Sequence, residues 1–164
     1  MIGNDIVDLQ LAKIQSNWQR PNYLGKIFSK EEIQFILNAE NSELEVWKLW
    51  SRKEAAYKIY NRETGIRGYF PWKLKCSNAE TNEDKEIGLV LIEDKVYCTE
   101  TYVNQDYIYT IAAKSVQLFD KIIAVNQHDT IIKMEGMPFL ETNLKLVSIT
   151  HHGRFERKIT LLDS

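Results

Sequence analysis

Residues 42–60 constrain the fold more than any other stretch. Leu44, Trp47, Leu49, Trp50, Ala55, Ala56, Ile59 and Tyr60 recur there among charged positions at about 3.6-residue spacing, which predicts one long amphipathic helix. Such a helix must bury its apolar stripe against a second layer. Three runs further on can supply that layer: 87–92, 95–102 and 107–113, separated by Glu93-Asp94 and Asn104-Gln105-Asp106, read as an antiparallel meander. This order of strands after a helix permits an α+β architecture.

Residues 2–9 read as a short strand, followed by an ambiguous amphipathic stretch over 10–19 and a break at Pro21. Ser29-Lys30-Glu31-Glu32 has the form of a helix start, with Ser29 as cap and Glu32 reaching back to it. Thr64-Gly65-Ile66-Arg67-Gly68 and Pro71 end the long helix. Residues 72–76 look strand-like and 77–86 form a polar surface loop. The tail has strand-like runs at 118–125, 130–134, 144–149 and 158–162.

At 164 residues the chain fits one domain. A net charge of −2 gives no global pull toward nucleic acid or an anionic membrane, so any anion binding must be local. The N-terminus lacks a signal-peptide pattern and no run is long enough for a membrane helix, which predicts a soluble cytoplasmic protein. Cys76 and Cys98 fall in strand-like stretches and are expected to be reduced, structural thiols.

Two segments carry candidate chemistry. In Gly3-Asn4-Asp5-Ile6-Val7-Asp8 a glycine permits close approach of another backbone or a ligand, and a carboxylate at a strand edge can hold Mg²⁺. Asp5 and Asp8 are equally open to roles as solvated or helix-capping residues. In Ser51-Arg52-Lys53-Glu54-Ala55-Ala56-Tyr57-Lys58 the Glu54 and Lys58 side chains lie one helical turn apart. They read either as a surface pair or as two groups presented to one pocket. Arg52, Lys53 and Lys58, with Arg67 beyond Gly65, add cations able to neutralise phosphate locally. His128, His151 and His152 are expected to be exposed loop residues outside any site, and Trp47 and Trp50 to pack in the core.

Gly3-Asn4-Asp5-Ile6-Val7, then Lys53-Glu54-Ala55-Ala56-Tyr57-Lys58 about fifty residues later, then the Gly65 turn, together resemble the 4′-phosphopantetheinyl transferases, in their short holo-acyl-carrier-protein synthase type. The resemblance covers roughly residues 1–113. It implies an α+β fold with a long helix on an antiparallel sheet, a transferase-like domain over 1–114, and an extension of unknown role over 115–164 packed on it.

The resemblance also implies an activity: Mg²⁺-dependent transfer of the phosphopantetheine arm of coenzyme A to a serine of an acyl or peptidyl carrier protein, releasing adenosine 3′,5′-bisphosphate. Asp5 and Glu54 match metal ligands. Glu54 and Lys58 match catalytic positions, with Lys58 on the pyrophosphate or leaving group and the serine proton going to Glu54 or to water. Arg52, Lys53, Lys58, Gly65 and Arg67 are then candidates for the coenzyme A contact. A homo-oligomer is implied, a trimer in the short relatives. Residues 104–109 lack the histidine found in the family before its late strand, and Lys13 is the nearest candidate for the basic residue that meets the carrier. The rival expectation is a non-catalytic relative that binds a carrier protein or a nucleotide.

Overall fold

The computed structural model describes residues 1–82 and 84–162. Strand β1 (Ile2–Asp8) leads into helices α1 (Leu9–Gln15), α2 (Tyr23–Ile27), α3 (Lys30–Asn38) and α4 (Ser42–Thr64). Strands β2 (Lys75–Cys76), β3 (Glu80–Asn82), β4 (Lys85–Ile92), β5 (Lys95–Val103) and β6 (Tyr107–Ala113) come next. The tail adds β7 (Ile122–Ala124), β8 (Ile131–Met134), β9 (Met137–Leu140), β10 (Ser148–His152) and β11 (Phe155–Leu161). The main sheet runs β1-β6-β5-β4-β2 with β3 beside β4, and every pairing is antiparallel. It is an α+β fold with the long helix packed on the sheet.

Helix α4 forms as its periodicity demands. Asn41 Oδ1 caps it by accepting from Leu44 N–H at 3.0 Å, and Gly65 ends it in the left-handed conformation at φ 68°. Val46, Leu49, Ala55, Ala56 and Ile59 are buried against the sheet, each large aliphatic side chain contributing about 1.5–3 kcal/mol. At α3 the capping box is complete: Ser29 Oγ accepts from Glu32 N–H at 3.2 Å, and Glu32 Oε2 accepts from Ser29 N–H at 2.7 Å.

Strand β1 is buried along nearly its whole length because it lies between two layers. With period-two alternation, Gly3, Asp5 and Val7 share the face toward α4. A Cβ on Gly3 would stand 2.0 Å from Ala55 O, so the close approach permitted by this glycine is that of helix backbone. Gly3→Ala is therefore expected to destabilise the protein by about 1–3 kcal/mol or more, measured as a lowered urea midpoint. An unchanged midpoint would contradict the close packing.

The unpaired edge of β1 is covered by β10 through side chains. Ser148 Oγ, Thr150 Oγ1 and His152 Nδ1 accept in turn from the N–H groups of Asn4 (3.1 Å), Ile6 (3.1 Å) and Asp8 (2.8 Å). Exposed strand edges invite unwanted pairing, and here the tail blunts the edge. At the β10–β11 turn, Arg154 grips Asp8 with both Nε and a terminal nitrogen at 2.9 Å. That contact holds the Asp8 carboxyl well below the usual carboxylate range. Asp8 also accepts from Gln10 N–H and Leu11 N–H, so it is the helix-capping residue of α1.

Several expectations are corrected. The stretch 118–125 opens as a 3-10 turn (Val116–Lys121), because Leu118 and Phe119 pack beside Ile2 and Ile159. The strand expected over 144–149 starts only at Ser148, since Leu144 sits at φ 55° in a turn closed onto Leu140 O. Pro71–Lys73 form a 3-10 turn, so the strand expected over 72–76 is confined to Lys75–Cys76. The 77–86 loop contains β3 and the start of β4; Glu83, within it, lies outside the described residues. His151 and His152 are on β10 and not in a loop.

Candidate active site

Asp5 and Glu54 meet where β1 crosses α4, and both line a cavity of about 500 Å³ together with Arg20, Trp47, Trp50, His151 and His152. Thr150 Oγ1 donates to Asp5 Oδ1 at 3.4 Å, and Asp5 Oδ2 is buried with no hydrogen-bond partner. Burial pushes the Asp5 carboxyl up to about 6, against the pull of the Lys58 ammonium. Burial, then the neighbouring Asp5 charge, pushes Glu54 up to about 7. Two carboxylates in one enclosed site disfavour each other's ionisation unless a cation joins them.

Lys58, one turn beyond Glu54 on α4, donates to Asn4 O at 2.5 Å and to Ile149 O at 3.0 Å. An ammonium has three donors, so one is left to point elsewhere. Burial draws its pKa down while the two carboxylates raise it. The lysine thus ties β1 and the tail to the helix.

The other sequence candidates fall elsewhere. Lys53 is wholly buried, donating to Glu32 Oε2 (2.8 Å), Ile27 O (2.9 Å) and Pro71 O (2.9 Å), with no donor left for a phosphate. Arg52, also buried, donates to Thr99 Oγ1, Ser77 O and Leu89 O. Its guanidinium fills the space left by Gly88, where a Cβ would meet it at 2.2 Å. These two cations, expected at the coenzyme A contact, here hold loops and strands to α4. Gly65 serves as the helix C-cap and Arg67 is exposed in the segment after it.

Sequence reasoning passed over Arg20 and Thr150 and set His151 and His152 outside the site, whereas both histidines line the cavity. The signal for Thr150 and His152 was present as Ser148, Thr150 and His152, polar side chains at a period of two after the apolar Leu146-Val147. His152 Nδ1 accepts from Asp8 N–H, which places the proton of the neutral ring on Nε2. Burial lowers its pKa and favours that neutral form. His128 is an exposed turn residue, as expected. Trp47 is a core residue that also lines the cavity, and half-buried Trp50 stands edge-on to Tyr69 with centroids 5.5 Å apart.

The donor set suits a hard divalent cation. Among the described residues no cluster of three or more His, Cys, Asp or Glu could hold a metal ion. Mg²⁺, however, is ordinarily held by one or two carboxylates and keeps several waters. The orphaned Asp5 Oδ2 beside Glu54 fits that demand.

The raised carboxyls give a pH prediction for the metal-free protein. Groups whose folded pKa lies above the ordinary value of 3.8 or 4.5 contribute stability below that value and lose it as pH rises toward about 6 and 7. The thermal midpoint in chelator is expected to fall between about pH 4.5 and pH 7.5, and added Mg²⁺ to restore it at the upper end. A midpoint unmoved by Mg²⁺ at pH 7.5 would contradict the metal assignment.

The family model of the 4′-phosphopantetheinyl transferase superfamily matches residues 1–112, the span holding β1, α4 and the sheet. That match gives the class, a transferase, and the chain belongs to the 4′-phosphopantetheinyl transferase superfamily. A comparison with curated proteins gives no match.

No helix among the described residues is long and apolar enough to cross a membrane.

Proposed function

We propose that this protein transfers the 4′-phosphopantetheine arm of coenzyme A to a serine of an acyl or peptidyl carrier protein, with Mg²⁺ held by Asp5 and Glu54. The observation that carries this is that Asp5, whose Oδ2 is buried without a partner, lines the same cavity as Glu54, beside an ammonium with one donor to spare. Mg²⁺ bound there would draw charge from the pyrophosphate during attack. Asp5 and Glu54 would hold it in a largely buried site, where electrostatic contacts gain strength.

In the reaction the serine oxygen forms a bond to the phosphorus carrying the pantetheine arm, and the bond from that phosphorus to the bridging oxygen breaks. Adenosine 3′,5′-bisphosphate leaves with the bridging electron pair, and the serine proton passes to Glu54 or to water. Lys58, fixed by two carbonyls, directs its third N–H at the charge developing on the leaving phosphate. Arg67 and Gly65, at the end of α4, belong to this reading as coenzyme A contacts.

A cytoplasmic setting agrees with the free thiols of Cys76 and Cys98. Assembly into a homo-oligomer draws support from Leu89, Leu91 and Val96, adjacent on β4 and β5 and each 40–48% exposed. The test of the activity is chromatographic: adenosine 3′,5′-bisphosphate should appear from coenzyme A and Mg²⁺ only when an apo carrier protein is present. Coenzyme A that binds and stays intact with every carrier would favour the non-catalytic alternative.

A further inference from the structure

A second cavity, of about 380 Å³, lies along α4 beyond Lys58 and is closed by the tail. Its lining includes Lys58, Arg62, Lys133, Gly136, Pro138 and Ile149, with three cations and no carboxylate. Arg62 is half-buried, its guanidinium anchored by donation to Ile2 O (3.0 Å) and Val147 O (3.1 Å). Lys133 stands exposed on β8 with no ion-pair partner among the described residues. Lys133, Gly136 and Pro138 all come from the β8–β9 hairpin, outside the matched residues 1–112.

Lys58 faces the carboxylates of Asp5 and Glu54, but Arg62 and Lys133 have no carboxylate beside them in this lining, and that local positive charge asks for an anionic occupant. Its volume falls in the range of small-ligand pockets. The first cavity, by contrast, offers aromatic rings and the two carboxylates. Lys58 lies one turn beyond Glu54 and lines this cavity with Arg62, so a ligand whose pyrophosphate reaches Lys58 can set a further phosphate beside Arg62, one turn along the helix.

Resting on the proposed coenzyme A reaction, the geometry points to the β8–β9 cavity as the seat of the phosphorylated ribose of the nucleotide half, with Lys133 and Arg62 contacting its monophosphate. The tail then completes the site within one chain. Lys133 supplies a charge-assisted contact at the rim, and Arg62 a fixed one from the helix.

The probe is adenosine 3′,5′-bisphosphate itself, titrated calorimetrically into the whole protein without carrier, so that the outcome does not depend on turnover. Lys133→Glu is expected to weaken its binding roughly tenfold or more, the loss of a charge-assisted contact, and to raise the KM for coenzyme A in parallel. Adenosine 5′-monophosphate should bind weakly, and its affinity should change little in the variant. Lys121→Glu, the same charge change at an exposed position outside the cavity, should leave bisphosphate affinity as it was. Equal bisphosphate affinity in wild type and Lys133→Glu, or no binding to wild type, would overturn the assignment even where carrier-dependent transfer is observed. Lys133-dependent bisphosphate binding in a protein that modifies no carrier would uphold the cavity and remove the transferase reading.

Discussion

Asp5→Asn and Glu54→Gln should each lower transfer by about a thousandfold or more, the scale of losing an electrostatic contact that acts on transition-state charge. Neither change should unfold the protein. Both carboxyls are held above their ordinary pKa by burial, and Glu54 is raised further by the charge on Asp5. A neutral amide of the same shape relieves that repulsion. The variants are therefore expected to match or exceed wild-type thermal stability in chelator at neutral pH while losing the gain that Mg²⁺ gives wild type. Inactivity with an unchanged Mg²⁺ shift would place the ion elsewhere, and retained turnover would remove the carboxylate pair from the reaction.

Lys53→Met should cost about 3–5 kcal/mol of stability, because it strands Glu32 as a buried and unpaired charge. The pair is 0% exposed on both sides with N to O at 2.8 Å. Glu32 Oε1 also accepts from Cys76 N–H at 2.7 Å, so this one carboxylate joins α3, α4 and β2. Adding Glu32→Gln to Lys53→Met should recover part of the loss, since no ion is then left uncompensated and the amide oxygen can still accept at the helix cap. Urea titration of both variants measures this. A loss under about 1 kcal/mol for Lys53→Met would mean that the buried ammonium stabilises nothing.

The two lysines of the Lys53-Glu54-Ala55-Ala56-Tyr57-Lys58 segment show what a sequence makes legible. Apolar spacing located α4, and the meander after it supplied its packing layer, so the central architecture was readable from periodicity. Glu54 and Lys58 were readable as one-turn neighbours. Lys53 was not, because its partners Glu32, Ile27 O and Pro71 O come from three separate segments. Nothing local distinguishes such a lysine from one on a solvated face.

Asp5 was found through Gly3, although the backbone that Gly3 admits belongs to Ala55 and not to a ligand. The tail was hardest to read. Its short strands cover an edge with side chains instead of joining it by a backbone ladder, and Thr150 and His152 gain meaning only beside β1. Leu144 and Pro138 break the alternation that would otherwise have marked β9 and β10.

The measurement that bears most directly on the activity is the intact mass of apo carrier proteins incubated with this protein, coenzyme A and Mg²⁺, each with and without chelator. Transfer by the Asp5–Glu54 centre predicts a gain of about 340 Da on one carrier serine that vanishes in chelator, as metal-assisted phosphoryl transfer requires. A gain of the same size that persists in excess chelator would contradict the metal centre, and no gain on any carrier despite coenzyme A binding would contradict the transfer itself.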